Sequence, residues 1–225
     1  MDVVGLPVPQ GAGAHVIRVG YDLEKAALRG FDAGTLESNA IFIEDDWTVN
    51  DVLRVNAGSR YERSEQQQAS GQTRDYSLVA HQLGASWKAA ENLTVFSKVA
   101  RSFRIPNANE NGFAGVGTTR VPFLNPQVAD EIEAGLKTGL WSGEFDATIF
   151  VMDVENELFF DPTIILLPTI RGLNANLDEL RRKGAELKWN GDLQKDLRMI
   201  ASYQYIDAEF RSGSLSGGRV PLVAA

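Results

Sequence analysis

Side chains able to act on a small molecule gather in one stretch, "RIPNANENGFAGVGTTR" (104–120). Arg104, Asn107, Asn109, Glu110, Asn111 and Arg120 offer hydrogen-bond donors and acceptors on a glycine-rich frame, which is the chemistry of recognition. Material for bond breaking is scarce. The chain has no cysteine, so thiol nucleophiles, disulfides and zinc–thiolate sites are excluded. His15 and His81 are the only histidines, fall on different strands and lack metal-ligand spacing. Glu131 and Glu133 share a strand face and read as a wet wall rather than a general acid/base pair. "GFAGVGTTR" lacks the lysine of a phosphate-cradling loop, "GLKTG" lacks its leading glycine, and no Gly-x-Ser-x-Gly elbow occurs. The expectation is a binding protein with no catalytic residue, metal ligand set or cofactor.

The elements that carry these residues must come from 225 residues with a net charge of −8. That length buries a sizeable core, and the acidic balance argues against nucleic acid as a partner. No apolar run reaches the roughly 18 residues of a transmembrane helix. The first residues, "MDVVGLPVPQ", lack a secretion signal, and the end, "RVPLVAA", lacks a terminating element, so the chain reads as a piece of something longer.

Alternation of apolar and polar residues predicts about nine strands, near 14–22, 38–47, 52–63, 76–89, 92–104, 129–141, 144–157, 178–190 and 196–210. In "VLRVNAGSRYE", Leu53, Val55, Ala57, Ser59 and Tyr61 face one way, and Arg54, Asn56, Gly58, Arg60 and Glu62 the other. Short turns near 49–51, 90–91, 142–143 and 191–195 alternate with long polar stretches at 23–37, 64–75, 105–128, 158–177 and 211–219. Such asymmetry is that of an antiparallel up-and-down meander with all its tight turns at one end, as in transmembrane β-barrels.

Trp47, Trp87, Trp141 and Trp189 each precede a short turn, and Tyr21, Tyr61, Tyr76, Phe103, Phe159 and Phe210 sit at the opposite strand ends. These are the positions of two interfacial girdles. On this reading Arg54, Arg60, Arg101 and Glu133 belong to the wet face. A soluble β-sandwich also alternates and stays open on periodicity alone; strand length, loop asymmetry and tryptophan placement favour the barrel. Two residues fit poorly: Trp141 has the parity of Glu133 and Lys137, and Asp45 shares a face with Ile43. Two stretches are locally helix-like, "DLEKAALRG" (22–30) and "NLDELRRKGAEL" (176–187), and the second is taken as loop running into strand.

"VFSKVARSFRIPNANE" resembles the strand of TonB-dependent outer-membrane receptors that ends in aromatic–Arg–x–Pro, here Phe103-Arg104-Ile105-Pro106. "LNPQVADEIEAGLKTG" is similar to the Asn-Pro segment leading into a Glu-x-Gly strand (Glu133, Gly135), and "FDATIFVMDVENELFFDP" to its hairpin partner. "NANLDELRRKGAELKW" resembles the Asn-rich loop and Arg-Arg-x-Gly-x-Glu strand (Arg181, Arg182, Gly184, Glu186). "LRMIASYQYIDAEF…GGRVPLV" resembles the next strand with its Asp207-Ala208 step and Val220-Pro221 closing. Five matches in family order span about 95–222, with fainter agreement upstream.

The resemblance implies a part of a roughly 22-stranded barrel with a plugged lumen. It further implies a bacterial outer-membrane location among lipid, and a parent whose plug domain and TonB partner lie outside this chain. The parent would take up a scarce nutrient, foremost a ferric siderophore, otherwise cobalamin or haem. In such a parent the wet wall packs against the plug, which makes Arg54, Arg60 and Arg101 plug contacts before substrate contacts. A passive porin is the alternative within the membrane class.

Overall fold

The computed structural model describes residues 4–5, 13–29, 34–68, 70–111, 121–167 and 170–220. Twelve strands follow in order: β1 (Val4–Gly5), β2 (Ala14–Leu28), β3 (Gly34–Thr48), β4 (Leu53–Gln68), β5 (Thr73–Ala90), β6 (Leu93–Arg104), β7 (Gln127–Leu140), β8 (Gly143–Glu155), β9 (Leu158–Leu167), β10 (Ile170–Asn176), β11 (Leu180–Gln194) and β12 (Leu197–Phe210). A single helical turn, α1 (Ala108–Asn111), precedes β7. Strands β1 to β8 pair consecutively and antiparallel, β11 pairs with β8, and β12 closes the order; β9 and β10 form a separate hairpin.

The cross-strand register carries each side chain's face through the whole sheet. One row runs Ile43–Ser59–His81–Arg101–Asp130–Asp153–Arg181. The adjacent row, on the other face, runs Arg18–Glu44–Gly58–Gln82–Ala100–Glu131–Met152–Arg182. The first face exposes Ile17, Val19, Ile41, Ile43, Leu83, Val99, Ile132, Ile149, Val151 and Met199. Ile132 and Ile149 are 62% and 64% exposed, far more than a soluble sheet leaves open over so many strands. A sandwich would need a second sheet over Leu53, Val55, Leu83 and Met199, yet Leu83 and Met199 stand exposed on a single continuous sheet. The sandwich reading is thereby set aside.

The turns at one end follow local chemistry. Asn50 Oδ1 accepts from the amides of Val52 and Leu53 at 3.0 and 2.8 Å, bending the chain between β3 and β4. Trp141, with φ 55°, makes the turn between β7 and β8. Its odd parity is thus explained: it lies outside the strand alternation. Asp45, the other misfit, receives His15 Nδ1 at 2.7 Å, and that imidazole stacks on Trp47 at 5.3 Å. The polar group on the apolar face is therefore partnered and next to a turn.

At the other end the strands run further than alternation indicates. The stretches 23–37 and 64–75, expected as long loops, are mostly the upper halves of β2 to β5, joined around Gly71 (φ 78°) between β4 and β5. Residues 158–177 are likewise largely the β9–β10 hairpin, and the turn before β12 falls at 195–196 rather than across 191–195. The physical reason is solvent. About ten tilted residues cross a bilayer; beyond them both faces are wet, so alternation disappears while the backbone ladder continues. Lys25–Glu37 at 3.0 Å and Arg63–Asp75 at 3.6 Å occupy the outer positions there.

Candidate functional site

The described stretches 104–111 and 121–126 fold back over the upper part of the polar face instead of standing free. Its first turn is self-capped. Asn107 Oδ1 accepts from the Glu110 amide and Glu110 Oε2 accepts from the Asn107 amide, both at 2.9 Å, a reciprocal capping box. Arg104 donates to the same Glu110 carboxylate. Three of the expected ligand-contacting side chains therefore shape the turn, while Asn109 remains exposed.

Asn111 departs from the expectation of a solvent-facing donor. It is 3% exposed, and its amide is fully engaged. Nδ2 donates to Gln66 Oε1 at 2.7 Å and to the Tyr76 hydroxyl at 3.1 Å, and Oδ1 accepts from the Leu124 amide at 2.9 Å. Burial without these partners would cost about 1–3 kcal/mol per orphaned group, so Asn111 serves as a structural joint. Arg120 lies outside the described residues.

The wall supplies the rest of the clamp through residues that alternation did not single out. Gln68 Nε2 donates to the Asn111 carbonyl at 2.7 Å, and Gln66 Nε2 to the Pro106 carbonyl. Arg74 reaches the Phe123 carbonyl at 3.0 Å and Asn125 Oδ1 at 2.7 Å, and the Tyr76 hydroxyl donates to the Leu124 carbonyl at 3.0 Å. Asn176 pairs with the Asn125 backbone at 2.7 and 2.9 Å, tying the segment to the base of the β9–β10 hairpin. The run "EQQQ" (65–68) carried a usable signal: two glutamines on one strand face need partners when that face is buried. Ser64 Oγ and Gln68 Oε1 have none among the described residues.

Tyr76 and Phe210, expected in the upper girdle, instead point to the polar face and are buried, Tyr76 beneath this segment and Phe210 beside Val220. Tyr61 and Phe103 keep the apolar face, as do Trp47 and Trp87. Trp189 is 7% exposed because Trp141, 86% exposed, packs edge-on against it at 6.3 Å, and its indole donates to the Leu140 carbonyl at 3.1 Å.

Among the wall charges, Arg54, Arg60 and Glu133 lie on the polar face, as expected from alternation. Arg60 is held by Asp22 at 2.5 Å and Glu62 at 2.8 Å, and Glu133 by Lys98 at 3.0 Å. Arg54 has no ion-pair partner among the described residues and borders a depression of about 550 Å³ with Asp46, Asn56, Lys98 and Glu133. A second depression of about 370 Å³, nearer the clamped segment, is lined by Asp22, Phe42, Glu44, Arg60, Gln82 and Ser102.

Arg101 is a correction. The register puts it on the apolar face, opposite Asp130 at 3.3 Å, because it lies two positions along the strand from Val99, with only Ala100 between them. Asp153 and Arg181 form a bidentate pair in the same row, at 2.6 and 2.7 Å. On the exposed hairpin, the Thr163 hydroxyl and amide hold the Asp161 carboxyl below the usual carboxylate range. Among the described residues no group of three histidines or carboxylates is gathered for a metal ion. The described residues offer a two-faced wall and a pinned polar segment, and among them no nucleophile–base constellation.

Comparison with known proteins agrees with this geometry. The sequence model of the TonB dependent receptor-like β-barrel family matches residues 11–224. The chain is 27% identical over 187 residues to the metal-pseudopaline receptor CntO of Pseudomonas aeruginosa, covering 77% of this chain and 24% of that protein. It is 24% identical over 200 residues to the probable TonB-dependent siderophore receptor PiuA of Acinetobacter baumannii, covering 83% of this chain and 26% of the other. These relatives are named as receptors, not enzymes; the chain spans about a quarter of their length. The copper transporter OprC shares its fold with a TM-score of 0.68 at 15% identity, over 88% of this chain and 35% of that one. The FrpB iron transporter of Neisseria meningitidis does so with a TM-score of 0.66 at 14% identity, over 92% and 34%.

Proposed function

The chain belongs to the TonB-dependent receptor β-barrel family of the outer membrane, and from that premise we propose that its parent protein is an active importer of a scarce nutrient, foremost a ferric siderophore. The apolar face meets acyl chains. The opposite face lines a hydrated lumen in which Arg54, Arg60 and Glu133 contact a plug domain, and coupling to TonB supplies the energy. Trp47, Trp87 and Trp141 seat the turn end at one interface, and Tyr61 and Phe103 seat the loop end at the other.

One observation carries the reading: a segment rich in recognition groups is pinned over the ion-paired face of a sheet whose reverse is exposed hydrocarbon. Arg104 and Asn109 are exposed on the described part of this segment, and Arg120, outside the described residues, belongs to its expected contacts. The relatives named for siderophore and metal-chelate reception point to the cargo class. The cargo itself, an iron chelate, is substrate and not a resident cofactor.

The test is uptake of radiolabelled ferric tricatecholate and ferric trihydroxamate chelates by cells carrying the full-length gene, against a deletion strain, with and without a protonophore. Import that requires the gene and stops with the protonophore is expected. Gene-dependent entry that continues without a proton gradient would make the protein a passive channel.

A further inference from the structure

We propose that the depression over Gly58 on the polar face is a socket for one ammonium or guanidinium group. The inference rests on the uptake reading for the source of that group, the cargo chelate or a basic side chain of the plug. It rests on the wall's own geometry for everything else.

The notch is made by a missing side chain. Glu44, Gly58 and Gln82 are cross-strand partners in one row of β3, β4 and β5. A Cβ at Gly58 would stand 3.3 Å from Gln82 Cγ and Nε2 and 3.5 Å from Glu44 Cγ. Both side chains thus lean over the glycine, from strands that run about 9–10 Å apart. Ala80 and Ala100 leave the neighbouring wall low, and Ser102 adds a hydroxyl to the lining of the depression, about 370 Å³ in all. Phe42, whose ring lies across Gly20, closes one side.

The charges select the sign of the ligand. Arg60 is already held by Asp22 at 2.5 Å and by Glu62 at 2.8 Å. Arg18 donates to Asp46 at 2.6 Å and stays 4.0 Å from Glu44. Glu44 is therefore the carboxylate left over, beside a Gln82 amide that makes no hydrogen bond among the described residues. An anion here would face Glu44 and Asp22 with no free guanidinium to receive it. A neutral apolar group would take water from Glu44 and return nothing. An ammonium or guanidinium supplies donors to the Glu44 carboxylate and the Gln82 carbonyl, and the aromatic ring beside them favours a cation.

The experiment uses full-length receptor, unmodified or carrying Glu44→Gln or Glu24→Gln. The second variant makes the same charge change elsewhere on the polar face. Two probes are compared in equilibrium binding: a linear ferric trihydroxamate with one free ammonium, and the same chelate with that amine acetylated. Cargo in the socket predicts that the unmodified receptor binds the ammonium form at least about tenfold more tightly, one charge-assisted hydrogen bond's worth. Glu44→Gln should then bind both forms alike, while Glu24→Gln keeps the preference. A plug side chain in the socket predicts no preference between the probes, but hydrogen exchange in the plug about tenfold faster in Glu44→Gln and unchanged in Glu24→Gln. No preference together with unchanged plug exchange would overturn the proposal, as would equal effects from the two substitutions. If cells carrying the gene import no ferric chelate, the uptake reading falls, and plug exchange still judges the socket.

Discussion

Neighbours on β7 meet different solvents. Glu131 and Glu133 hold the Lys98 ammonium at 3.2 and 3.0 Å on one side of the sheet, whereas Ile132 between them stands exposed on the other with Val99 and Val151 beside it. On the polar face, two cations toward the loop end are locked to carboxylates, Arg60 to Asp22 and Arg182 to Glu157 at 2.6 Å. Toward the turn end, Lys88, Lys137 and Lys188 share one row with Asp146 and make no ion pair among the described residues. The contrast teaches that alternation here separates two solvents rather than a core from a surface, and that water on the polar side lets charges stay single.

The sharpest break of that comparison is Ile132→Arg against Glu131→Gln. The first puts a guanidinium into the acyl layer and is expected to destabilise the assembled receptor by about 2–4 kcal/mol, seen as loss of the heat-modifiable band in outer membranes. The second should stay within about 0.5 kcal/mol. Equal effects from the two would remove the two-solvent account.

Packing on the polar face has its own vulnerable point. Phe96 lies over Gly135 on the neighbouring strand, where a Cβ would collide with both that ring and the Ala147 carbonyl. Gly135→Val is expected to cost about 1–3 kcal/mol through overpacking, measurable as a lower midpoint in urea-driven unfolding from detergent. Arg101→Ala leaves the Asp130 carboxylate alone on the apolar side and should cost about 1 kcal/mol, more than a surface pair in water returns. A double-mutant cycle with Asp130→Ala checks it: coupling near zero would place the pair in water. Lys188→Gln, an unpaired ammonium on the wet face, is expected to shift stability by less than about 0.5 kcal/mol, with the urea midpoint again the measure.

Much of the fold was legible because a strand spanning lipid must alternate. "VLRVNAGSRYE" announced its faces, and the short turns at Asn50 and Trp141 announced the end at which they lie. The upper halves of β2 to β5 were illegible for the same reason: above the bilayer no face needs to be oily, so Lys25, Glu37 and Asp75 look like loop. Of the candidate site, Arg104, Asn107 and Glu110 were found as polar side chains, but their use in a capping box needed coordinates. Asn111, indistinguishable from Asn109 in the string, became a buried joint only through Gln66, Tyr76 and Leu124.

By itself the amino-acid order determined the class of molecule, its two solvents and the side of the sheet on which most charges lie, because those follow from a period of two along each strand. Only the tertiary structure decided which polar groups are spent on holding the chain together and which stay exposed. Pairing partners such as Asn111 and Gln66 or Arg101 and Asp130 are brought close by sheet register and by the back-folding of 104–111, and nothing in their local sequence encodes those distances.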